Sequence, residues 1–163
     1  MVNPYFAFRR VDNFQYDMNK QDCFTVDDMD GTTPAYKFVL ASQCSNDINK
    51  CIDSDGTLME WDSETGKGVQ ILSSFGEDDG LVPLLFSRGI NGEGRISVNT
   101  TSVTYELTDE INHVKGIFLV SVGNGSGYVL AYSINNAPLE IQDDTLILNV
   151  AGMIWGSHYT SGE

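Results

Sequence analysis

The clearest pattern of apolar and polar positions lies in the C-terminal half, where no residue between Gly116 and Leu139 is charged. Two apolar runs, GIFLVSV and YVLAYSI, flank the glycine-rich stretch GNGSG. Apolar runs of strand length on both sides of a short turn are typical of a β-hairpin. The sequence therefore predicts two antiparallel strands here, joined by a turn at residues 123–127.

Alternation of side chains along these two strands assigns the hairpin residues to two faces. In the first strand, Phe118, Val120 and Val122 alternate with Ile117, Leu119 and Ser121. In the second strand, Tyr128, Leu130, Tyr132 and Ile134 alternate with Val129, Ala131 and Ser133. An exposed sheet face would carry polar side chains, whereas both of these faces are small or apolar. Both faces of the hairpin therefore need cover.

The source of that cover has two interpretations, because strand pairing cannot be read from the sequence. In the first, a second sheet built from residues 36–107 covers one face, and the N-terminal arm or another subunit covers the other. An apolar patch without cover of its own is an association site. The candidate contact residues are then Ile117, Leu119, Val129 and Ala131, and we expect a homo-oligomer or a protein docked on a larger surface. In the second interpretation, both faces are buried inside one chain.

Other segments of the chain also have the composition of strands. Runs rich in Val, Ile, Thr and aromatic residues occupy 36–42, 69–75, 96–107 and 145–155, and short polar or glycine-containing turns separate them. The segment LVPLLF contains Pro83, which predicts an edge strand or an irregular segment. No segment has a convincing helical period. We expect an all-β fold, an antiparallel β-sandwich or jelly-roll-like domain over residues 36–163.

Residues 1–35 show no sustained period and are predicted to form an irregular N-terminal arm. This stretch holds many aromatic residues for a free tail, among them Tyr5, Phe6 and Phe8. We therefore expect the arm to pack on its own domain or on a neighbouring molecule, with these three residues as further interface candidates. The first residues lack a basic head followed by an apolar core, so no secretory leader is expected.

The charge of the chain limits its partners. There are 9 basic and 23 acidic residues, a formal net charge of −14. Binding to phosphate groups needs clustered Lys and Arg, and only Arg9 and Arg10 are adjacent. We expect neither direct nucleic-acid binding nor adhesion to an anionic membrane, and no apolar run is long enough to span one. Acidity of this kind favours solubility, or docking on a positively charged partner.

The three cysteines are Cys23, Cys44 and Cys51. An odd number without a secretory leader argues against a disulfide framework. We expect free thiols, some of them buried, although a Cys44–Cys51 bridge remains open because closure of so short a loop is easy. A zinc site is not expected, because the second pair of ligands is missing and only His113 and His158 could complete it.

Candidate catalytic and metal-binding patterns are incomplete. The string from Cys51 to Asp62 resembles a calcium loop at Asp53, Asp55 and Gly56, but it begins with cysteine and ends with the shorter Asp. We interpret it as a tight turn between strands. The acidic clusters lie on predicted loops, whereas a glycosidase needs two carboxylates set across a cleft. We predict no catalytic residue, no cofactor and no metal, and therefore a protein that is not an enzyme.

Three segments of the C-terminal third form a pattern of their own, after the Thr- and Tyr-rich stretch 102–107. They are Lys115–Val120, then VLAYS at 129–133, then Pro138 through Asp143, Asp144 and Thr145 to Leu146. This pattern resembles the small β modules of tailed-bacteriophage virion proteins, notably capsid decoration or cement proteins. The resemblance covers about a third of the chain. The pair Asp143-Asp144 stands where that pattern has a glycine-aspartate turn.

The resemblance implies a structural protein on the exterior of a virion capsid, made in the host cytoplasm and stabilising the head. Its partners would be the major capsid protein or other virion proteins, with several copies associating. The sequence also leaves two other functions open. One is a carbohydrate-binding adhesin or fibre module that uses Trp61, Trp155 or exposed tyrosines as sugar platforms. The other is a carboxylate-based hydrolase, which would require a cleft with paired carboxylates.

Overall fold

The computed structural model describes residues 8–10, 30–72, 80–88, 94–98, 102–106, 112–122, 129–141, 145–150 and 154–156. Within these ranges the chain forms ten strands and one short 3-10 turn, Ile48–Lys50. None of the described segments is a helix with the length and apolarity needed to cross a membrane. The strands are β1 (Arg9–Arg10), β2 (Asp30–Cys44), β3 (Val69–Ile71), β4 (Leu81–Arg88), β5 (Gly94–Val98), β6 (Ser102–Glu106), β7 (Asn112–Ser121), β8 (Val129–Ile141), β9 (Thr145–Asn149) and β10 (Ile154–Gly156).

The described strands make an eight-stranded sheet and a two-stranded sheet, and every pairing between them is antiparallel. The order in the large sheet is β1-β8-β7-β2-β4-β5-β10, with β3 added to β2. The small sheet consists of β6 and β9. The prediction of an all-β antiparallel fold is confirmed. The finer choice between a sandwich and a jelly roll stays a prediction.

Strand β2 is the centre of the large sheet. On one side it pairs with β7 along Tyr36–Ala41, and on the other side with β4 and then with β3. It begins at Asp30, so the boundary predicted between arm and domain at residue 36 falls inside this strand. A second part of the predicted arm, β1, pairs with β8 at the edge of the sheet. Described residues of the arm are therefore part of the sheet.

Strand β4 was predicted as an edge strand or an irregular segment, and the structure places it inside the sheet with an irregular register to β2. It lies between β2 and β5, and Pro83 sits opposite Pro34 of β2. The register of the β2–β4 pair shifts on both sides of this position. Neither proline has a backbone N–H to donate. The two positions without a donor therefore lie opposite each other, where the pairing of the strands is already irregular. An interior strand therefore tolerates Pro83 because a second proline faces it.

Two segments predicted as single strands are each divided between the two sheets. Residues 96–107 supply most of β5 and all of β6, and residues 145–155 supply β9 and most of β10. The pairing register is the same in both sheets: Ser97 pairs with Ile154, and Ser102, five residues on, pairs with Asn149, five residues back. The two segments thus pair with each other in both sheets, in one register.

The central part of the large sheet, where β2, β7 and β8 pair, is buried on both sides by its own chain. On the strand-covered face, Phe38, Leu40, Ile117 and Leu119 pack with the inner side chains of the small sheet, which are Val103, Tyr105, Leu146 and Leu148. On the loop-covered face, Val39, Ala41, Phe118, Val120 and Val129 pack with Cys51, Ile52, Ile48 and Leu58 of the segment 45–68. The Tyr105 hydroxyl donates a hydrogen bond to the Phe38 carbonyl oxygen at 2.9 Å, which ties the small sheet to the large one.

Candidate functional site

The hairpin β7–β8 is a contact surface only if one of its faces lacks cover from its own chain. The structure shows that this premise is wrong. Ile117, Leu119, Val129 and Ala131 are each 0% exposed within the single chain. The segment 45–68 supplies the cover that the first interpretation assigned to the N-terminal arm or to another subunit, so the second interpretation, burial inside one chain, holds for these four residues. The sequence predicts a tight turn between strands in this segment, but it does not show which face the segment covers. The four residues therefore offer no exposed surface to a partner.

The division of the hairpin into faces is correct for β7 and incomplete for β8. Ile117 and Leu119 lie on the strand-covered face, and Phe118 and Val120 on the loop-covered face, as predicted. In β8, however, Leu130 and Ala131 both join the strand-covered face. The register shifts there, because Leu119 pairs with Ala131 and Val120 with Val129, which leaves Leu130 as the extra residue of a bulge.

Of the aromatic interface candidates in the N-terminal arm, Phe8 is described. Its ring is partly buried and meets the Phe38 ring edge to face, with centroids 5.4 Å apart. Phe8 therefore packs on its own domain, which was one of the two expected outcomes. Tyr5 and Phe6 lie outside the described residues, and so does Cys23.

The near-calcium string is a turn held together by its own carboxylates. The Asp53 carboxylate accepts hydrogen bonds from the backbone N–H groups of Asp55 and Thr57 at 2.9 and 3.0 Å, and from the Thr57 hydroxyl at 2.6 Å. Gly56 has a φ of 87°, as this turn requires. These hydrogen bonds lower the pKa of Asp53, with the Thr57 hydroxyl as the largest cause. The predicted tight turn is confirmed, whereas the predicted strands on either side of it are isolated bridges, such as that between Ile52 and Leu58.

One cluster of reactive side chains is buried beneath the same segment. We call Cys44, Cys51 and Lys115 the thiol–lysine cluster. Cys44 ends β2, Cys51 follows the 3-10 turn, and Lys115 belongs to β7. All three are buried, at 1%, 0% and 7% exposed. The Lys115 Nζ donates to the Cys44 carbonyl oxygen at 2.5 Å, and the Cys51 Sγ donates to the Ser45 carbonyl oxygen at 3.4 Å.

Glycine at position 116 makes room for this cluster. A Cβ atom there would lie 3.0 Å from the Cys44 Sγ and 3.0 Å from the Phe118 ring, which is tighter than ordinary van der Waals contact. Gly116 and Lys115 are neighbours in β7, at the point where its register with β8 shifts. The absence of a side chain at 116 thus lets the end of β2 bring the Cys44 thiol against β7.

The two thiols of the cluster differ in acidity because each contacts the other. The hydrogen bond between them lowers the pKa of Cys44, and the Lys115 ammonium lowers it further, against the opposing effect of burial. The same hydrogen bond raises the pKa of Cys51, as do burial and the charge of Cys44. Cys44 is therefore the more acidic of the two thiols, and it lies next to the buried Lys115.

Both described cysteines are free thiols, as expected. The spacing Cys44-x6-Cys51 indicates that the two cysteines could meet, whereas the sequence holds a single signal that Lys115 is buried. Its predicted strand position beside Gly116 was the one signal, because alternation in a strand with two apolar faces leaves no solvent-facing side. Within the described residues, no group of three or more His, Cys, Asp or Glu side chains is arranged to hold a metal ion.

The exposed surface carries the remaining candidate groups. Segment 45–68 exposes six carboxylates and two lysines, namely Asp47, Asp53, Asp55, Glu60, Asp62 and Glu64 with Lys50 and Lys67. His113 and Glu140, both largely exposed, approach to 3.5 Å between Nε2 and Oε1. Trp61 is partly buried in the acidic segment, and the Trp155 side chain and His158 lie outside the described parts. Exposed apolar side chains include Leu139 and Ile147, at 37% and 40%.

Comparison with known proteins adds no relative: no family model, no curated protein and no solved structure matches this chain.

Proposed function

We propose that this protein is a non-enzymatic structural component of a tailed-bacteriophage virion, which binds the exterior of the capsid as a decoration or cement protein. The observation that carries the proposal is the position of the segments that resemble that family. Lys115–Val120 lies in β7, residues 129–133 open β8, and Pro138–Leu146 runs from the end of β8 into β9. The resemblance therefore falls on consecutive strands that pair or pack together, rather than on scattered loops.

Docking on a shell now has to use a surface other than the buried hairpin faces. The acidic surface of segment 45–68 supports such a contact, since it exposes six carboxylates against two lysines. A surface of this charge complements a basic patch on a capsid subunit and increases the rate of encounter with it. The segment is also held firmly, because Gly68 N–H donates to the Lys50 carbonyl oxygen and Val69 N–H to the Met59 carbonyl oxygen, at 2.8 and 2.9 Å.

The test of the proposal starts from particles purified from the cells that make the protein. Mass spectrometry of the particles and cryo-electron microscopy should find this chain in many copies on an ordered shell. Particles that lack the protein, or a chain that binds no shell and instead binds one glycan tightly and saturably, would contradict the proposal. The second result would favour the adhesin or fibre function.

A matched pair of variants then tests the docking surface. Glu60→Lys with Glu64→Lys reverses two charges on the acidic segment without changing Asp53 or Asp62, which hold its turns. Glu106→Lys with Glu140→Lys makes the same net change at exposed positions of β6 and β8. We expect the first pair to lose binding to stripped shells, in a salt-dependent way, and the second pair to keep it. Equal behaviour of the two pairs would exclude segment 45–68 as the contact.

A further inference from the structure

The thiol–lysine cluster has the parts of a redox site, and it is independent of the function proposed above. Cys44 and Cys51 belong to one buried cluster at the junction between the end of β2 and the segment 45–68, where the Cys51 Sγ lies 3.4 Å from the carbonyl oxygen of Ser45, the residue next to Cys44. The chain between them makes a single 3-10 turn, in which Lys50 N–H donates to the Asp47 carbonyl oxygen and Cys51 N–H to the Ile48 carbonyl oxygen. This turn returns Cys51 to the end of β2. A disulfide between the two sulfur atoms would therefore join the end of β2 to the turn that follows it.

We propose that Cys44 and Cys51 form a redox-active dithiol, which hydrogen peroxide or another small hydroperoxide oxidises to an intramolecular disulfide. Cys44 is the attacking residue and Cys51 the resolving residue. Lys115 is a positioning residue: its ammonium stabilises negative charge at Cys44 while it holds the carbonyl group of the same residue.

The reaction balances in two steps. The Cys44 thiolate attacks one oxygen of the peroxide, so an S–O bond forms, the O–O bond breaks and hydroxide leaves. The Cys51 thiol then attacks the sulfur of the Cys44 sulfenic acid. The S–S bond forms, the S–O bond breaks, and the departing hydroxide takes the Cys51 proton and leaves as water. The dithiol is oxidised by two electrons, and the hydroperoxide is reduced.

Burial determines how fast this happens. Cys44 and Cys51 are 1% and 0% exposed, so the oxidant reaches them when the turn 45–51 opens. A buried thiolate therefore reacts with the oxidant more slowly than an exposed thiolate of the same intrinsic reactivity. Once formed, the disulfide joins the segment 45–68 to the end of β2 covalently. Oxidation should therefore stabilise the loop-covered face against opening.

The primary experiment uses the unmutated, folded, reduced chain. After exposure to hydrogen peroxide, intact mass should fall by two hydrogen atoms. Tryptic cleavage after Lys37, Lys50 and Lys67 separates residues 38–50, with Cys44, from residues 51–67, with Cys51. We expect these two peptides to be recovered joined by a disulfide. Recovery of Cys23 in the disulfide, or of Cys44 and Cys51 as unmodified thiols after Cys23 has reacted, would overturn the proposal.

Variants assign the roles of the three residues. Cys23→Ser should keep the linked peptides, and Cys44→Ala and Cys51→Ala should each lose them. In Cys51→Ala the Cys44 sulfenic acid has no resolving thiol and should be trapped by dimedone, whereas a Cys44→Ala chain should show no such adduct at Cys51. Far-UV circular dichroism and urea unfolding check that each variant is folded. Trapping at Cys51 in the Cys44→Ala chain would reverse the assignment of attacking and resolving residue.

Lys115→Met removes the charge and keeps the length of the side chain. Loss of the Lys115 charge should raise the pKa of Cys44 and lower its thiolate fraction, and we expect the oxidation to slow by roughly threefold. The rate is compared with that of the urea-unfolded chain, where Lys115 has no influence and both proteins should react alike. An unchanged rate in the folded variant would exclude Lys115 as a positioning residue.

Discussion

The two covers of the large sheet are built in opposite ways. The strand-covered face is closed by regular strands that lie far along the chain, as the hydrogen bond from Tyr105 to Phe38 illustrates. The loop-covered face is closed by the segment 45–68, which directly follows β2 and leads into β3. The first cover depends on alternating apolar side chains, and the second depends on turns and their hydrogen bonds. The same need, to keep an apolar face from water, is thus met by two different kinds of structure.

This difference explains why the hairpin is apolar on both sides without being a contact surface. Its sequence specifies that both faces are buried, but not what buries them. A covering strand is recognised by its alternation, whereas the 24 residues of segment 45–68 predict turns and a short hairpin, with no indication of the face that they cover. Only four apolar side chains of this segment pack into the core of that face, namely Ile48, Cys51, Ile52 and Leu58.

The strongest test of the comparison removes one aromatic ring from each face. Phe38→Ala opens the strand-covered face and Phe118→Ala the loop-covered face, and both rings are 0% exposed. We expect each to lower the free energy of unfolding by about 3–5 kcal/mol, as measured by urea denaturation. Ile147→Ala, at a 40% exposed position, is the control and should cost well under about 1 kcal/mol. A nearly neutral Phe118→Ala would mean that segment 45–68 does not cover its face.

Substitutions at two glycines of segment 45–68 measure the cost of a strained backbone conformation separately from the cost of a steric clash. Both have a positive φ, 90° at Gly68 and 69° at Gly66. A Cβ atom at Gly68 would collide with the Glu60 carbonyl group, whereas nothing lies within 4 Å of one at Gly66. Gly66→Ala should cost about 1 kcal/mol for its left-handed conformation alone, and Gly68→Ala about 3 kcal/mol, by urea denaturation. Equal costs would show that the close approach of residues 60 and 68 is not part of the folded loop.

A smaller change tests the hydrogen bond between the small sheet and the large sheet on the strand-covered face. Tyr105→Phe keeps the buried ring and removes the hydroxyl that donates to the Phe38 carbonyl oxygen at 2.9 Å. The free energy of unfolding should fall by about 1–2 kcal/mol, because a buried carbonyl loses a donor. Thermal unfolding followed by circular dichroism measures it. A variant as stable as the parent would mean that apolar packing alone holds the small sheet in place.

Much of the fold could be predicted because it depends on local alternation. In β6 the side chains alternate strictly between exposed and buried from Ser102 to Glu106, and β9 alternates in the same way. The hairpin β7–β8 and the turn at Asp53 also follow from short-range chemistry. These features depend only on residues close in the sequence, which set the alternation of a strand or the type of a turn.

The parts that could not be predicted depend on residues that meet across the sheet. Pro83 is acceptable in an interior strand because Pro34 faces it, and the bulge at Leu130 exists because β7 and β8 lose register there. The thiol–lysine cluster likewise requires that the end of β2 approach Lys115, which is 71 residues away. Pairing between distant segments determines all three, and single-residue preferences contain no information about it.

The smallest effect concerns the turn that anchors the covering loop. Hydrogen bonds that the Asp53 carboxylate accepts lower its pKa. The largest contribution comes from the Thr57 hydroxyl, and backbone N–H groups add to it. In the unfolded chain the pKa of Asp53 has its ordinary value near 3.9. A lowered folded pKa stabilises the protein above the unfolded value, and this contribution is lost as the pH falls through the folded value.

Asp53→Asn, which keeps an acceptor but has no charge to titrate, should therefore cost most at neutral pH, and the cost should shrink between about pH 5 and pH 3. Because Asp53 is exposed, we expect no more than about 1 kcal/mol at pH 7. Asp55→Asn is the matched control, since its backbone N–H rather than its carboxylate takes part in the turn. Urea unfolding of the parent and both variants across this pH range measures the difference. If Asp53→Asn and Asp55→Asn follow the same pH profile, the carboxylate of Asp53 does not hold the turn, and the apolar contacts of the loop-covered face must hold segment 45–68 in place.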